Sequence, residues 1–274
     1  MVKIGCNTLY PEGRLQGDAM FTLPHQLRAV EIIAEAGFDA VEFSHAAQFA
    51  TADLEKIAAH TRSLGLIPWS LHAWQPLARD ASQVEMVLER YRDTAEKARA
   101  LGVRIVVVHS GGGMEPEALA ERRSANSKTL CALAESLGPE ITVAVENMRA
   151  HADWEFLVDM VSHCEMENIG LNIDTGHANI GDLGVVNAIH MAGNRIRTTH
   201  LQDNYGECDN HLPPGKGKID WVAALSAFRA VGYPGPFIVE ISDCPPEREP
   251  DAVADTRTAA RNLRGFLRQV GFEA

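Results

Sequence analysis

The chain lacks what several functional classes require. Its five cysteines (Cys6, Cys131, Cys164, Cys208 and Cys244) are odd in number, scattered and never spaced as CxxC. That argues against a disulfide framework and a thiolate zinc site, and fits a reducing cytoplasm. No apolar run approaches the roughly 18 residues of a membrane span. The start, MVKIGCNTLY, has no apolar h-region and no small-residue cleavage site, so no secretory signal is expected. Cations are scarce: 25 Lys and Arg stand against 37 Asp and Glu, a net charge of −12. Nucleic-acid binding draws much of its affinity from Lys and Arg on phosphates, so a polyanion is not the expected partner. No Gly-rich phosphate turn follows the first apolar run, where NTLYPEGRLQG stands, and SGGGM (110–114) lacks the Lys-Ser/Thr of a P-loop. A doubly wound nucleotide fold loses its usual signature, and SGGGM reads as a flexible loop.

What is present is a regular alternation. Val- and Ile-rich runs alternate with longer stretches of helical spacing, the pattern of βα units around a parallel sheet. The runs are VKIGCN, DAVEF, LIPWSLH, RIVVVH, ITVAVEN, IGLNID, IRTTHL and PFIVEI. Their unbroken apolar character predicts a sheet covered on both faces. Helical stretches such as PHQLRAVEIIAEAG and QVEMVLERYRDTAEKARALG follow them, and Gly37, Gly65, Gly102 and Gly232 stand where helix C-caps belong. The seventh connection, QDNYGECDNHLPPGKGKID, is long before its helix begins near Asp220. With no linker or low-complexity tract, the pattern predicts one domain over residues 1–274, an α/β single-domain (β/α)8 TIM barrel.

Such barrels carry their sites at the C-terminal strand ends. Here those ends are Asn7, Glu42, His72, His109, Glu146 with Asn147, Asp174 with His177 beyond it, His200 with Gln202 and Asp203, and Glu240. No Arg or Lys is among them. In LNIDTGHANI, Asp174-Thr175-Gly176-His177 has a plain reading as a capped turn, Asp accepting backbone hydrogen bonds and Gly supplying positive φ. A whole barrel mouth of carboxylates and imidazoles asks for more. Carboxylates a few ångströms apart raise one another's pKa unless a cation sits between them. The mixed O and N donors suit Mn²⁺, Zn²⁺, Co²⁺ or Fe²⁺, with Mg²⁺ also a candidate, better than an all-oxygen calcium cage. Asp174 then reads as a ligand, and His177 as a ligand or a substrate contact.

VAVEN, NIDTGH, THLQD, DNHLPPGKGKID and FIVEI, in this order on strands five to eight, resemble the xylose isomerase-like TIM-barrel superfamily. That group holds sugar and sugar-phosphate isomerases and epimerases, inositol-catabolism enzymes and the family 2 apurinic endonucleases. The resemblance to ketose 3-epimerases implies that Glu146, Asp174, His200 and Glu240 hold one divalent metal. It also implies that Glu146 and Glu240 are the acid/base pair and that His177 touches a substrate hydroxyl. The implied chemistry is proton abstraction α to a carbonyl through a metal-stabilised enediolate. An Arg expected six residues after the metal-binding His is replaced by Gly206, so recognition on that side must differ.

The resemblance also reaches the endonuclease branch, where His72, His109, His177, Asp209 and His211 match additional ligands of a three-zinc cluster on abasic DNA. An inosose-dehydratase-like lyase is the remaining alternative. The acidic balance places the sugar enzyme first. His72 and His109 are then expected around the substrate, Glu42 and Asn7 as supports of the ligands or contacts to substrate hydroxyls, and Trp74 as a pocket wall or plain packing. Lys216 is the sole cation placed for a substrate phosphate, its other reading being a solvated loop lysine. The expected partner is a small carbohydrate, with neither nucleic acid nor membrane expected, and assembly into a homo-oligomer is left open.

Overall fold

The computed structural model describes residues 1–8, 22–44, 49–241 and 251–273. Strands and helices alternate along it: β1 (Ile4–Asn7), α1 (Leu23–Glu35), β2 (Ala40–Phe43), α2 (Thr51–Ser63), β3 (Ile67–Pro76), α3 (Val84–Leu101), β4 (Ile105–His109) and α4 (Leu119–Leu137). They continue as β5 (Thr142–Glu146), α5 (His151–Ser162), β6 (Ile169–Asp174), α6 (Thr175–Ile180), α7 (Val185–Ala192), β7 (Ile196–His200), α8 (Trp221–Ala230), β8 (Phe237–Val239) and α9 (Ala252–Gln269). Every expected strand and helix has its counterpart. One helix is additional: α6 begins on the residue that follows the last of β6.

The eight strands pair in parallel in the order β7-β6-β5-β4-β3-β2-β1-β8. Past the strand ends, Leu201 N donates to Ile238 O at 2.8 Å and Glu240 N to Leu201 O at 3.1 Å, which joins β7 to β8. The result is a nearly closed, single-domain (β/α)8 barrel. Gly37, Gly65, Gly102 and Gly232 all take positive φ at helix ends, as their positions suggest. No helix among the described residues is long and apolar enough to cross a membrane.

The strands look uniformly apolar, but their two faces differ. Side chains alternate along a strand. One set (Cys6, Val41 and Phe43, Val106 and Val108, Val143 and Val145, Leu171 and Ile173, Phe237 and Val239) joins the main core under the helices. Of the other set, Ile105, Val107 and Ala144 form a small separate cluster with Trp69, while Asn7, Glu42, Glu146, Asn172, Asp174 and His200 are buried and polar. Apolar side chains fill the barrel low down and ionisable ones fill its upper end. Strand register then sets them side by side: Asn7 beside Glu42, His109 beside Glu146, Glu146 beside Asn172, and Asp174 beside His200.

The loop at 110–114 is tethered rather than flexible. Arg122 of α4, fully buried, donates from Nε to Gly111 O at 2.6 Å and from Nη1 to Gly113 O at 3.1 Å, and pairs with Asp153 at 2.5 Å. Gly111 presses so closely on the β3–α3 loop that a Cβ there would lie 2.0 Å from Leu77 O. These contacts hold the segment that follows His109.

Candidate metal centre and active site

His200, at the end of β7, is the hub. Its Nδ1 lies 2.8 Å from Glu146 Oε2 and 3.2 Å from Glu240 Oε2, and its Nε2 lies 2.8 Å from Glu42 Oε1. Neither ring nitrogen has a well-directed hydrogen bond, although the side chain is wholly buried. Asp174 shows the same deficit on one oxygen. Its Oδ1 caps α6 by accepting from His177 N at 2.7 Å, while Oδ2 is buried without a hydrogen-bond partner. Donor atoms of Glu146, Asp174 and His200 lie within 4.8 Å of one another, and Glu240 reaches this group through His200. Buried polar atoms normally find partners, so an unpaired carboxylate oxygen and imidazole nitrogen facing further carboxylates fit a divalent cation. These four residues could hold it.

The local electrostatics agree with that fit. Burial raises Asp174 to about 6, with Glu146, Asp209 and Glu240 adding to the rise against His177. Burial would lift Glu146 and Glu240 as well, but His200 leads a set of imidazoles that holds Glu146 well below its usual range and Glu240 at about 2. Burial would lower His200, yet Glu240, Glu42 and Glu146 outweigh it and hold its pKa well above 6.5. The group is a mutually compensating set of ions.

Asn7 and Glu42 lie behind this hub, not in front of it. Glu42 Oε1 accepts from Asn7 Nδ2 at 2.7 Å, Oε2 accepts from Ser70 Oγ at 2.6 Å, and both residues are fully buried. Neither lines the pocket in front of the hub, and with Glu42 Oε1 against His200 Nε2 the pair is placed to orient His200. Ser70 and Asn172, which donates to Glu146 Oε2 at 3.0 Å, are supports that strand-end reasoning passes over. The signal is present in the chain, because each stands two residues before a strand-end ligand candidate and so faces the same side.

In front of the hub lies a pocket of about 340 Å³ lined by His72, Trp74, His109, Glu146, His177, Asp209, His211 and Glu240. His72 Nδ1 lies 3.2 Å from Glu240 Oε1, and its Nε2 lies 3.1 Å from His109 Nε2. Burial pushes His109 down to about 4. Across the pocket, His177 Nδ1 sits 3.2 Å from Glu146 Oε1, while Asp209 Oδ2 stands 3.2 Å from His177 Nε2 and 3.3 Å from His211 Nε2. Against the effect of burial, Asp209 raises His211 to about 9. Gln202 Nε2 spans both sides, 2.6 Å from Asp209 Oδ1 and 3.3 Å from Asp174 Oδ1. Asp203 folds the β7–α8 loop so that Asp209 and His211 face inward, accepting from Asn204 N, Gly215 N, Ile219 N and Trp221 Nε1.

Two non-glycine residues among those described take positive φ, Trp74 at 62° and His211 at 49°, and both line this pocket. Such backbone costs about 1–3 kcal/mol and persists where surrounding structure imposes it. Trp74 stands 45 % exposed at the rim. Lys216 does not join it: the residue is exposed and does not line this pocket.

The model of one family, described as xylose isomerase-like TIM barrel, matches residues 30–269. The chain belongs to that family. It is similar to the D-psicose 3-epimerase of Enterocloster bolteae, with 23 % identity over 76 % of this chain and 74 % of that one. It is also similar to the L-ribulose 3-epimerase of Mesorhizobium japonicum, with 29 % identity over 73 % and 69 %. Among solved structures, the IOLI protein with a binding zinc atom superposes with a TM-score of 0.78 at 19 % identity, covering 99 % of this chain and 100 % of that one. At that identity the likeness is one of fold.

Proposed function

We propose that this protein is a divalent-metal-dependent isomerase or epimerase of small carbohydrates, with Glu146, Asp174, His200 and Glu240 as the metal ligands. The observation that carries this reading is the pair of glutamates converging on His200 Nδ1 at the floor of a small pocket, beside Asp174 Oδ2, which accepts no hydrogen bond. The epimerase relatives support it independently. When bound, the cation would act as a Lewis acid on a substrate carbonyl and a neighbouring hydroxyl, making the adjacent C–H acidic enough for a weak base. Glu146 and Glu240 are the acid/base pair: one removes the α-proton. The other returns a proton to the opposite face for epimerisation or to the neighbouring carbon for isomerisation. His72 and His177 hold these carboxylates in place and offer hydrogen bonds to substrate hydroxyls, with His109 beside His72 in the pocket wall. Trp74 offers a ring face at the rim.

The test is conversion of a panel of ketopentoses and ketohexoses by protein loaded with Mn²⁺ or Co²⁺. Appearance of a 3-epimer or an aldose, lost on chelation and restored by the ion, is expected. Loss of water instead would mark a lyase. No conversion of any ketose by fully loaded protein would reject the proposal.

His177, Asp209 and His211, together with His72, His109 and Glu146, favour one other function, a phosphodiesterase of abasic DNA using three ions. Elemental analysis separates them. The sugar enzyme requires one bound ion per chain, whereas close to three zinc with cleavage of an abasic duplex would reverse the assignment.

A further inference from the structure

Two thiols meet on the outside of the barrel. Cys131 lies in the C-terminal half of α4 and Cys164 two residues beyond α5, and their sulfurs stand 3.9 Å apart. Both residues are half-buried in the wall of a cleft of about 430 Å³ shared with Leu130, Met160 and Met166. The surrounding seam is already fixed. Arg123 pairs with Asp159 at 2.7 Å, and Arg122 and Arg123 cover the Phe156 ring at 4.3 and 4.9 Å. Asn168 Nδ2 donates to Ala134 O, Gly138 O and Ile141 O at the end of α4. These contacts link α4 to α5 and to the segment entering β6 around the two sulfurs.

We propose that Cys131 and Cys164 are a paired oxidation site that closes into a disulfide when the protein meets a hydroperoxide. A disulfide needs the sulfurs at about 2.05 Å, and rotation about the single χ1 of each cysteine supplies motion on the scale of the remaining gap. Burial, with the neighbouring Cys164 sulfur next, pushes the Cys131 thiol up to about 11. One of the two sulfurs attacks the peroxide. The O–O bond breaks, leaving a sulfenic acid on that cysteine and one molecule of alcohol or water. The other Sγ then displaces the sulfenic oxygen as water and the S–S bond forms. Two electrons pass from the sulfurs to the peroxide, and both thiol protons end on oxygen.

The other described thiols are differently placed. Cys6 is fully buried, and burial together with Glu42 and Glu240 keeps it protonated, whereas Cys208 is exposed. The bond would tie α4 to the segment entering β6. Asp174 lies at the far end of that strand, about 17 Å from its start at 3.3 Å per residue. Thermal stability should rise and turnover should not change. The inference stands apart from the function proposed above.

The test treats the whole chain with hydrogen peroxide, blocks residual thiols with N-ethylmaleimide and maps peptides without reduction. A linked pair carrying Cys131 and Cys164 is expected. With it should come a rise in Tm on the order of 5–10 °C, reversed by dithiothreitol and missing in Cys131→Ser and Cys164→Ser. Oxidised Cys208 together with separately alkylated Cys131 and Cys164 would overturn the proposal. So would a linked pair with no change in Tm.

Discussion

The two oxygens of Asp174 differ: Oδ1 caps α6, while Oδ2 accepts no hydrogen bond and lies 3.7 Å from His177 Nδ1. Asp174→Asn keeps a capping oxygen and loses a charge. It should therefore weaken metal binding with little other effect, and excess Mn²⁺ or Co²⁺ should restore much of the activity. Glu240→Gln keeps a carbonyl oxygen for the ion and loses the base. It should retain metal and lose turnover by a factor of about 10² to 10⁴, without rescue by excess ion. Equilibrium dialysis with steady-state kinetics on both variants separates the roles; rescue of Glu240→Gln by metal would make Glu240 a ligand only. The imidazoles make a pH prediction. His211 is raised from 6.5 to about 9, so its contribution to metal-free stability is complete below pH 6.5 and is lost as pH climbs through 9. A cation needs His200 without its Nδ1 proton, and the surrounding carboxylates hold that proton on at neutral pH. Melting temperatures of the metal-free protein should fall from pH 6.5 to 9, and the increment added by Mn²⁺ should grow over the same range. An increment larger at pH 6 than at pH 8 would contradict this assignment.

The corner from β6 into α6 shows how much of the site is legible in the chain. Strand-end position places Glu146, Asp174, His200 and Glu240 among the residues that meet at the barrel mouth, because parallel register converts strand ends into neighbours. The resemblance to ketose 3-epimerases is what sets these four apart. Gly176 does not supply the positive φ that its turn-like context suggests. It is absent from the positive-φ glycines and lies within α6. Its missing Cβ leaves room for Gln202, whose amide atoms would otherwise lie 2.0–2.2 Å away. Close approach by a residue so far along the chain leaves no trace in a local window. Gly176→Ala should push Gln202 off Asp174 and Asp209, lowering metal affinity while the barrel still folds; metal affinity equal to wild type would show that the close approach carries no function. The tether around residue 111 is equally invisible, since it depends on a buried Arg122 in the following helix. Arg122→Met leaves Asp153 buried and unpaired, so a loss of about 3–5 kcal/mol in urea unfolding is expected. A loss below about 1 kcal/mol, the scale of an exposed ion pair, would place the tether elsewhere.

The whole barrel divides its labour by depth. Apolar side chains fill the lower interior, carboxylates and imidazoles the upper end, and the outward strand faces join the helices in one large core. The eightfold repeat is readable from periodicity because each βα unit announces itself locally. The choice between support and substrate contact for Glu42 and Asn7 is not, because depth along the barrel axis is not encoded in strand order. The chain's net charge of −12 and its small imidazole-lined pocket agree with an uncharged carbohydrate better than with a polyanion. Proton transfer at a substrate carbon is the central claim, and solvent deuterium reports it whatever the product. Metal-loaded protein incubated with ketoses in D₂O should place deuterium on the carbon next to the carbonyl, as seen by proton NMR. That signal should vanish after chelation and in Glu240→Gln. Absence of deuterium from every ketose converted, or incorporation at the wild-type rate by Glu240→Gln, would contradict it.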